Sequence, residues 1–423
     1  MEHLSFAIIA LFVLAFGAIS KRISTTMITP PMLFAAFGIV LGGMGLGLIE
    51  VDPENHFIIL LAEITLVLVL FTDASRIDFA LLKKEHNIPI RLLGIGLPLT
   101  MLAGTGLGWL FFPEMSLFEL LVLGIILAPT DAALGQAVVS SEKMPVRIRQ
   151  ALNVESGLND GLALPALLFF ACLAATTHQA SNENFLVVAL LQITLGPLAG
   201  IIIGFLGARL VVWGHKGGWM NESFRELSSL AVALLAFSGA ELIHGNGFLA
   251  AFCAGIAMGN TMRRLGDDLT EFTEAEGQLL TLLTFMFFGA IMLPLAMDHM
   301  QWQIVVYALL SLTVVRMLPV AVSLIGSKLK MPTVLFLGWF GPRGVASIIY
   351  VLVVLEFLHE NPHRETLFNV AMVTVLLSII AHGLTAWPGV SYYAKRFAAK
   401  DKAEEMKQVK EMPVRVRLGG KTS

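Results

Sequence analysis

Apolar stretches of roughly 18 to 25 residues recur along the whole chain, and each is long enough to cross the ~30 Å hydrocarbon core of a bilayer. Charged residues make up only 14% of the 423 residues, whereas ~25% is usual in soluble domains. A single soluble core has no place for so much apolar surface. The sequence therefore predicts an all-α polytopic membrane protein in contact with membrane lipid, with its transmembrane domain at residues 1–393.

We count about thirteen transmembrane segments in the sequence. In chain order they are 4–20, 31–49, 57–73, 92–111, 117–138, 147–175, 185–213, 226–243, 247–261, 278–297, 302–327, 332–357 and 367–390. The first segment has no positive residue before it, unlike a secretory signal peptide. We therefore expect it to remain in the mature protein as a membrane helix.

The Lys and Arg residues fall almost entirely on one side of these segments. If the N-terminus lies outside, 25 of the 28 Lys and Arg residues lie in inward connections or the C-terminal tail, and one, Arg364, lies in an outward connection. Positive residues concentrate on the cytoplasmic side of membrane proteins. We therefore expect a bacterial inner-membrane protein with the N-terminus outside and a cytoplasmic C-terminus. The charged stretch 394–423 predicts a flexible cytoplasmic tail.

Several charged and polar residues lie near the middle of predicted segments, where an ionised group costs at least ~2.5–3.5 kcal/mol. Such residues are candidates for function. They occur in segments 5, 6, 11 and 12 and are Thr130, Asp131, Glu155, Ser156, Asn159, Asp160, Arg316 and Arg343.

Segments 5 and 12 also carry helix-breaking residues beside these charges. Pro129 precedes Thr130 in segment 5, and Gly341 and Gly344 flank Arg343 in segment 12. Broken backbone at membrane depth is tolerated where it is buried or lines a cavity. The two segments are seven apart and so run in opposite directions. This pattern predicts inverted repeats with two discontinuous crossing helices and an ion site between them.

Segment 6 supplies oxygen atoms suited to an ion. Ser156 and Asp160 are four residues apart, as are Glu155 and Asn159, so each pair shares one helix face. These groups and Thr130 are hard oxygen ligands, which suit a small monovalent cation. Because a carboxylate there binds either the cation or a proton, the competition couples the two fluxes. The residues themselves therefore predict a cation/proton antiporter.

Counting the mid-membrane charges limits the stoichiometry. Asp131, Glu155 and Asp160 contribute three negative charges, and Arg316 and Arg343 contribute two positive charges. The remaining single negative charge would accept one monovalent cation or one proton. We expect Glu155 to pair with Arg343, which leaves Asp160 to titrate.

The sequence leaves two other transport functions open. A K⁺/H⁺ antiporter on the same scaffold is the main alternative, and a cation channel is a weaker one because the polar cluster is asymmetric rather than a ring. The sequence contains no HExxH, GxSxG, CxxC or glycine-rich phosphate loop. We therefore expect no enzyme activity, no cofactor and no nucleic-acid partner.

Three motifs resemble those of sodium/proton exchangers in the monovalent cation/proton antiporter family, in its electroneutral branch. Glu155-Ser156 followed by Asn159-Asp160 resembles the family's glutamate-serine and asparagine-aspartate motif. Thr130-Asp131 is similar to its threonine-aspartate-proline helix break, although Ala132 stands where the family has proline. The run 341–347 resembles its glycine-x-arginine-glycine segment.

This resemblance implies a homodimer in which a core moves like an elevator against a dimerisation part. The dimerisation part would comprise about 1–88 and 185–300, and the core about 89–184 and 301–393. The resemblance also implies exchange of Na⁺ or Li⁺ for H⁺, with the metal ion held by Asp160, Ser156, Glu155 and the backbone of Thr130. Exchange would be one for one, because Asn159 stands where electrogenic relatives have a second aspartate.

Overall fold

All regular secondary structure that the computed structural model describes is helical. The described residues are 2–23, 26–48, 56–77, 87–176, 185–265, 272–298, 300–358, 361–397 and 405. Within them the helices form thirteen successive segments, some of which are interrupted. The predicted all-α fold with about thirteen segments is confirmed.

The first six segments are α1 (Glu2–Ile23), α2 (Pro30–Leu41), α3 (His56–Ser75), α4 (Asn87–Phe111, π-helical at Leu92–Gly96), the pair α5a (Leu117–Ile126) and α5b (Ala132–Val139), and α6 (Val146–Thr176). The next four are α7 (Phe185–Lys216), α8 (Glu222–Glu241), α9 (Gly247–Arg264) and α10 (Phe272–Phe287, Phe288–Met292 and Leu293–Asp298). The last three are α11a (Trp302–Leu312) with α11b (Val314–Ser323), α12a (Met331–Trp339) with α12b (Val345–Phe357), and α13 (Arg364–Phe397).

Six of the described helices are long and apolar enough to cross a membrane by length and composition. They are Asn87–Phe111, Val146–Ala175, Leu190–Lys216, Gly277–Asp298, Trp302–Ser323 and Arg364–Arg396. Three shorter apolar helices, Pro30–Leu41, Leu117–Ile126 and Val345–Leu355, add to them. Two of these short helices are halves of the interrupted segments 5 and 12, since a break divides one spanning segment into two short ones.

The two predicted helix breaks are present and touch each other. The backbone leaves the helix between Ile126 and Ala132 in segment 5, and between Trp339 and Val345 in segment 12. The amide N–H of Asp131 donates to the carbonyl of Pro342 over 2.7 Å, so one broken stretch bonds directly to the other. The two discontinuous helices therefore cross at their breaks, as the sequence predicts.

Helices α3, α7 and α9 pack closely through glycine. A Cβ atom at Gly200 of α7 would lie 2.1 Å from the carbonyl oxygen of Ala250, and one at Gly255 of α9 would lie 2.3 Å from that of Phe71. Small residues let membrane helices approach until their backbones touch. The three helices therefore form a tightly packed unit beside the crossing.

The half-helices α5a and α12a both begin at a carboxylate. Ser116 and Glu119 form a capping box at the start of α5a, with the Ser116 N–H donating to Glu119 over 2.5 Å. At the start of α12a the carboxylate comes from far along the chain. Glu405 is fully buried, and its Oε1 accepts from the Lys330 N–H and the Thr333 hydroxyl, both over 2.9 Å.

Glu405 lies within the stretch 394–423 that the sequence predicts to be a flexible tail. Helix α13 continues to Phe397, four residues into that stretch, and Tyr393 near its end lies 2.8 Å from the Thr333 hydroxyl. The other residues of the predicted tail lie outside the described ranges. The contact of Glu405 joins this part of the chain to the start of α12a.

Removing the Glu405 carboxylate should destabilise α12a. An N-terminal cap contributes ~1 kcal/mol, and a negative charge is favoured at the positive end of a helix. We expect Glu405→Ala to lower the melting temperature in detergent. Glu405→Gln keeps an accepting oxygen but loses the charge, so it should melt between Glu405→Ala and wild type. Equal melting of Glu405→Ala and wild type would contradict the cap.

Candidate ion-binding site

Asp131 joins the starts of two half-helices. Its Oδ1 accepts from the N–H groups of Ala133 (2.6 Å) and Leu134 (3.0 Å) at the start of α5b, and its Oδ2 accepts from Val345 (2.6 Å) at the start of α12b. The first N–H groups of a helix have no partner within the helix and carry partial positive charge. One buried carboxylate therefore satisfies two helix ends at the crossing.

Arg343 and Ser347 satisfy carbonyls at the end of α5a and in the break that follows it. The Arg343 guanidinium donates through Nη1 to the carbonyls of Ala128 and Pro129, the latter over 3.0 Å. The Ser347 hydroxyl donates to the carbonyl of Ile126 over 2.8 Å. The last carbonyls of a helix carry partial negative charge, which a cation stabilises. Arg343 is completely buried and acts as the cap that the helix break requires.

Glu155 pairs with Arg316 and not with Arg343, so our predicted pairing is wrong. Nη1 of Arg316 in α11b lies 2.6 Å from Oε1 of Glu155 in α6, and both side chains are almost fully buried. The physical reason is the helix break: it frees the carbonyls of Ala128 and Pro129, and these take the Arg343 guanidinium.

The two glycines around Arg343 leave room for charged groups from other helices. A Cβ atom at Gly341 would lie 2.3 Å from Nε of Arg316, and one at Gly344 would lie 2.2 Å from Oδ2 of Asp131. Each glycine thus admits a charge that would otherwise be displaced. This accounts for the spacing of glycine, arginine and glycine in segment 12.

Thr130, Ser156 and Asn159 meet beside the crossing. The hydroxyl oxygens of Thr130 and Ser156 are 3.1 Å apart, and the Asn159 amide donates to the Thr130 hydroxyl over 2.7 Å. Oδ1 of Asn159 is buried and makes no hydrogen bond to the part of the protein that the structure describes. The structure therefore brings together three of the predicted oxygen-bearing residues, and their contacts leave an amide oxygen for a further partner.

Asp160 lies one helical turn after Ser156 on the same face of α6. Ser156 and Asp160 retain 8% and 7% exposure, whereas Glu155 and Asn159 retain 2% and 1%. The pair Ser156 and Asp160 is therefore the more accessible side of the polar cluster. The backbone carbonyl of Asp160 accepts from the Tyr350 hydroxyl, which ties this turn of α6 to α12b.

The sequence analysis assigns no role at the crossing to Ser378 or Tyr350, which hold it in place together with His382 and Ser347. Ser378 accepts from the Arg343 N–H over 2.7 Å, and His382 one turn later lies 3.1 Å from the Ser378 hydroxyl and 2.9 Å from the Trp339 carbonyl. Tyr350 and Ser347 contact α6 and α5a in the same way. All four are polar residues inside apolar segments, and this was the available signal.

Breaking the Glu155–Arg316 pair should strongly destabilise the protein. Removing one partner of a buried pair leaves an uncompensated charge, at a cost of ~3–5 kcal/mol. We expect Arg316→Met to lower the melting temperature in detergent. Adding Glu155→Gln should restore part of the loss, because the amide carries no charge.

Arg343→Met is the matched control for the Arg316→Met and Glu155→Gln variants. It removes the same charge from the same crossing, but its guanidinium bonds to carbonyls. We therefore expect Glu155→Gln to restore little in the Arg343→Met background. Recovery with Arg343→Met but not with Arg316→Met would reverse our assignment of the ion pair.

A methyl group at Gly344 should push Asp131 away from the two helix starts. Overpacking of this kind costs ~1–3 kcal/mol. We expect Gly344→Ala to melt at a lower temperature than wild type. Gly135→Ala in α5b is the control, since its Cβ would meet nothing within 4 Å and alanine favours a helix. Similar destabilisation of both variants would contradict the steric explanation.

Comparison with known proteins places the chain in a family. The family model described as "Sodium/hydrogen exchanger, transmembrane" matches residues 7–390. A K⁺/H⁺ antiporter NhaP of Alkalimonas amylolytica is 27% identical over 396 residues, which cover 92% of this chain and 67% of that protein. A Na⁺/H⁺ antiporter of Schizosaccharomyces pombe is 24% identical over 363 residues, covering 81% and 75%.

A further S. pombe protein, a probable Na⁺/H⁺ antiporter, is 26% identical over 363 residues, and the match spans 47% of its length. The chain thus spans from about half to three quarters of the length of these relatives. The structure of the sodium proton antiporter MjNhaP1 from Methanocaldococcus jannaschii has the same fold, with a TM-score of 0.75 at 21% identity, over 95% of this chain and 100% of that one. The chain therefore belongs to the sodium/hydrogen exchanger family.

Proposed function

We propose that this chain is a secondary active transporter that exchanges Na⁺ or Li⁺ for H⁺, one for one. Membership of the family supports a monovalent cation/proton antiporter. The observation that carries the proposal is what each of the three mid-membrane carboxylates contacts. Asp131 accepts three backbone N–H groups, and Glu155 pairs with Arg316. Asp160 is the third, one helical turn after Ser156 on the more accessible face of α6, and we assign cation and proton binding to it.

The charges at the crossing support one-for-one exchange. The pair of Glu155 and Arg316 is neutral, and Asp131 and Arg343 each satisfy helix ends of opposite sign. Asp160 contributes one further negative charge. A single such charge is balanced by either one monovalent cation or one proton, so the exchange is electroneutral. This role needs neither a cofactor nor enzyme chemistry.

The preference for Na⁺ or Li⁺ rests on the compact oxygen cluster. Thr130 and Ser156 place two hydroxyl oxygens 3.1 Å apart, and Asn159 adds its amide oxygen. Hard oxygen ligands suit small monovalent cations. K⁺/H⁺ exchange on the same scaffold is the second candidate, because the K⁺/H⁺ antiporter NhaP of A. amylolytica aligns with 92% of this chain.

We further propose alternating access by movement of a core, comprising about 89–184 and 301–393, against a dimerisation part, comprising about 1–88 and 185–300. The close packing of α3, α7 and α9 supports a rigid unit in the dimerisation part. The crossing joins α5 and α12 within the core. The protein would act as a homodimer in a bacterial inner membrane, with its N-terminus outside and its C-terminus in the cytoplasm.

Exchange by the purified protein in liposomes tests this function. An outward cation gradient should drive a pH change in the lumen with Na⁺ or Li⁺, and a smaller one or none with K⁺, whereas choline should give none. Asp160→Asn should abolish the signal because the amide cannot exchange a proton for a cation. The variant should still elute and melt as a folded protein.

Two results would contradict the proposal. Exchange at the wild-type rate by Asp160→Asn would remove this residue as the carrier. A larger response to K⁺ than to Na⁺ or Li⁺ would favour the second candidate, with the same site but a different cation. Asp298→Asn, which changes an aspartate at the end of α10, is the matched control and should retain exchange.

A further inference from the structure

Helix α9 contacts α6 at the residue that follows Asp160. A Cβ atom at Gly161 would lie 2.1 Å from Cε2 of Phe252, so the Phe252 ring packs directly against the backbone of α6. Both residues are buried. An aromatic side chain of α9 therefore lies beside the turn of α6 that carries the carboxylate we assign to the ion and the proton.

The backbone on both sides of Phe252 is fixed to α3 and α7. Glycines of α7 pack against the backbone carbonyls of Ala250 and Ala254, two residues before and after the ring. Gly255 packs in the same way against the backbone carbonyl of Phe71 in α3. Because these contacts are made backbone to backbone, the position of Phe252 is fixed relative to α3 and α7.

Helix α6 is fixed instead to the helices of the crossing. Its Glu155 pairs with Arg316 of α11b, and the backbone carbonyl of Asp160 accepts from the Tyr350 hydroxyl of α12b. The contact of the Phe252 ring with α6 therefore joins two packed groups of helices. They belong to the dimerisation part and the core of the proposed transport cycle.

A second glycine lies one turn earlier on the same face of α6. Gly157 and Gly161 are four residues apart, which separates them by about 6 Å along the helix. A Cβ atom at Gly157 would have one described neighbour within 4 Å, the backbone oxygen of Asp73 at 3.9 Å, which is an ordinary contact. Gly161 thus holds the Phe252 ring, and the equivalent space beside Gly157 holds no described side chain.

The direction of α6 relates the two glycines to transport. Under the predicted orientation α6 runs from the cytoplasm outward, so Gly157 lies nearer the cytoplasm than Gly161. An outward shift of α6 by one turn would bring Gly157 to Phe252 and carry Asp160 outward past the ring. Shifts of one turn between packed elements occur in switching proteins, because packed interfaces have discrete resting positions.

We propose that Phe252 is a positioning residue for the exchange, with its ring packed against Gly161 in one end state of the core and against Gly157 in the other. This inference rests on the proposed antiport function and on the proposed movement of the core. Phe252 has no group that binds a cation or a proton, so it acts through the position of α6. Glycine at both positions lets the ring pack against the helix in each state.

Gly157→Ala separates this role from a purely structural one. The variant should melt at or above the wild-type temperature, because the added methyl group meets no close neighbour here and alanine favours a helix. We expect its maximal exchange rate to fall about 5- to 100-fold, because the methyl group would overpack against the ring in the second state. The KM for the cation should change less, since the ion ligands are unaltered.

Two further variants test whether the ring is what the methyl group meets. Gly106→Ala in α4 is the matched control, because a Cβ atom there has no described neighbour within 4 Å, and it should exchange at the wild-type rate. Phe252→Leu shortens the side chain. In the Phe252→Leu background, Gly157→Ala should therefore slow exchange much less than it does in wild type. Proteoliposome exchange at varied Na⁺ or Li⁺ concentration and melting in detergent give the rate, the KM and the stability.

The outcomes separate this inference from the proposed function. A wild-type maximal rate in Gly157→Ala, or an equal slowing by it in both backgrounds, would overturn the role of Phe252 while wild-type exchange still supports antiport. A lower melting temperature of Gly157→Ala would overturn the open space beside this glycine. Absence of cation-driven proton movement in the wild type would overturn the proposed function itself, and the role of Phe252 with it.

Discussion

Two interrupted helices meet inside this protein, and the charges at their ends have to be satisfied where the backbone is buried. Asp131 accepts from the first N–H groups of α5b and α12b, and Arg343 donates to the carbonyls of Ala128 and Pro129 in the break after α5a. A direct bond from Asp131 to Pro342 closes the contact between the breaks. Unsatisfied backbone groups at membrane depth cost several kcal/mol each. The hydrogen bonds between the two broken stretches therefore make the crossing possible.

The crossing also determines which charges remain for transport. Because Asp131 and Arg343 serve helix ends, Glu155 is left to Arg316, and these two groups neutralise each other almost fully buried. Asp160, on the more accessible face of α6, is then the carboxylate we assign to the ion and the proton. The Ser156 hydroxyl lies one helical turn before Asp160 and 3.1 Å from the Thr130 hydroxyl, which accepts from the Asn159 amide.

The segments, the two breaks and their opposite directions were predictable, because apolar length, proline and glycine are local signals. The residues at mid-membrane depth were predictable for the same reason, and all of the candidate residues lie at or near the crossing. The partner of Arg343 could not be predicted from the sequence, because it depends on the angle at which the breaks cross. Asp131 bonds to Val345, 214 residues away, and Glu405 bonds to α12a from beyond α13. No local pattern predicts such contacts.

Counting the protons released when the purified protein binds its cation tests the central claim most directly. Titration calorimetry in buffers of different ionisation enthalpy gives this number, because binding to a protonated carboxylate displaces the proton. Below the pKa of the site, the account predicts release of about one proton per cation bound in wild type, and none in Asp160→Asn. Release of two protons, or undiminished release by Asp160→Asn, would contradict a single exchanging carboxylate at Asp160.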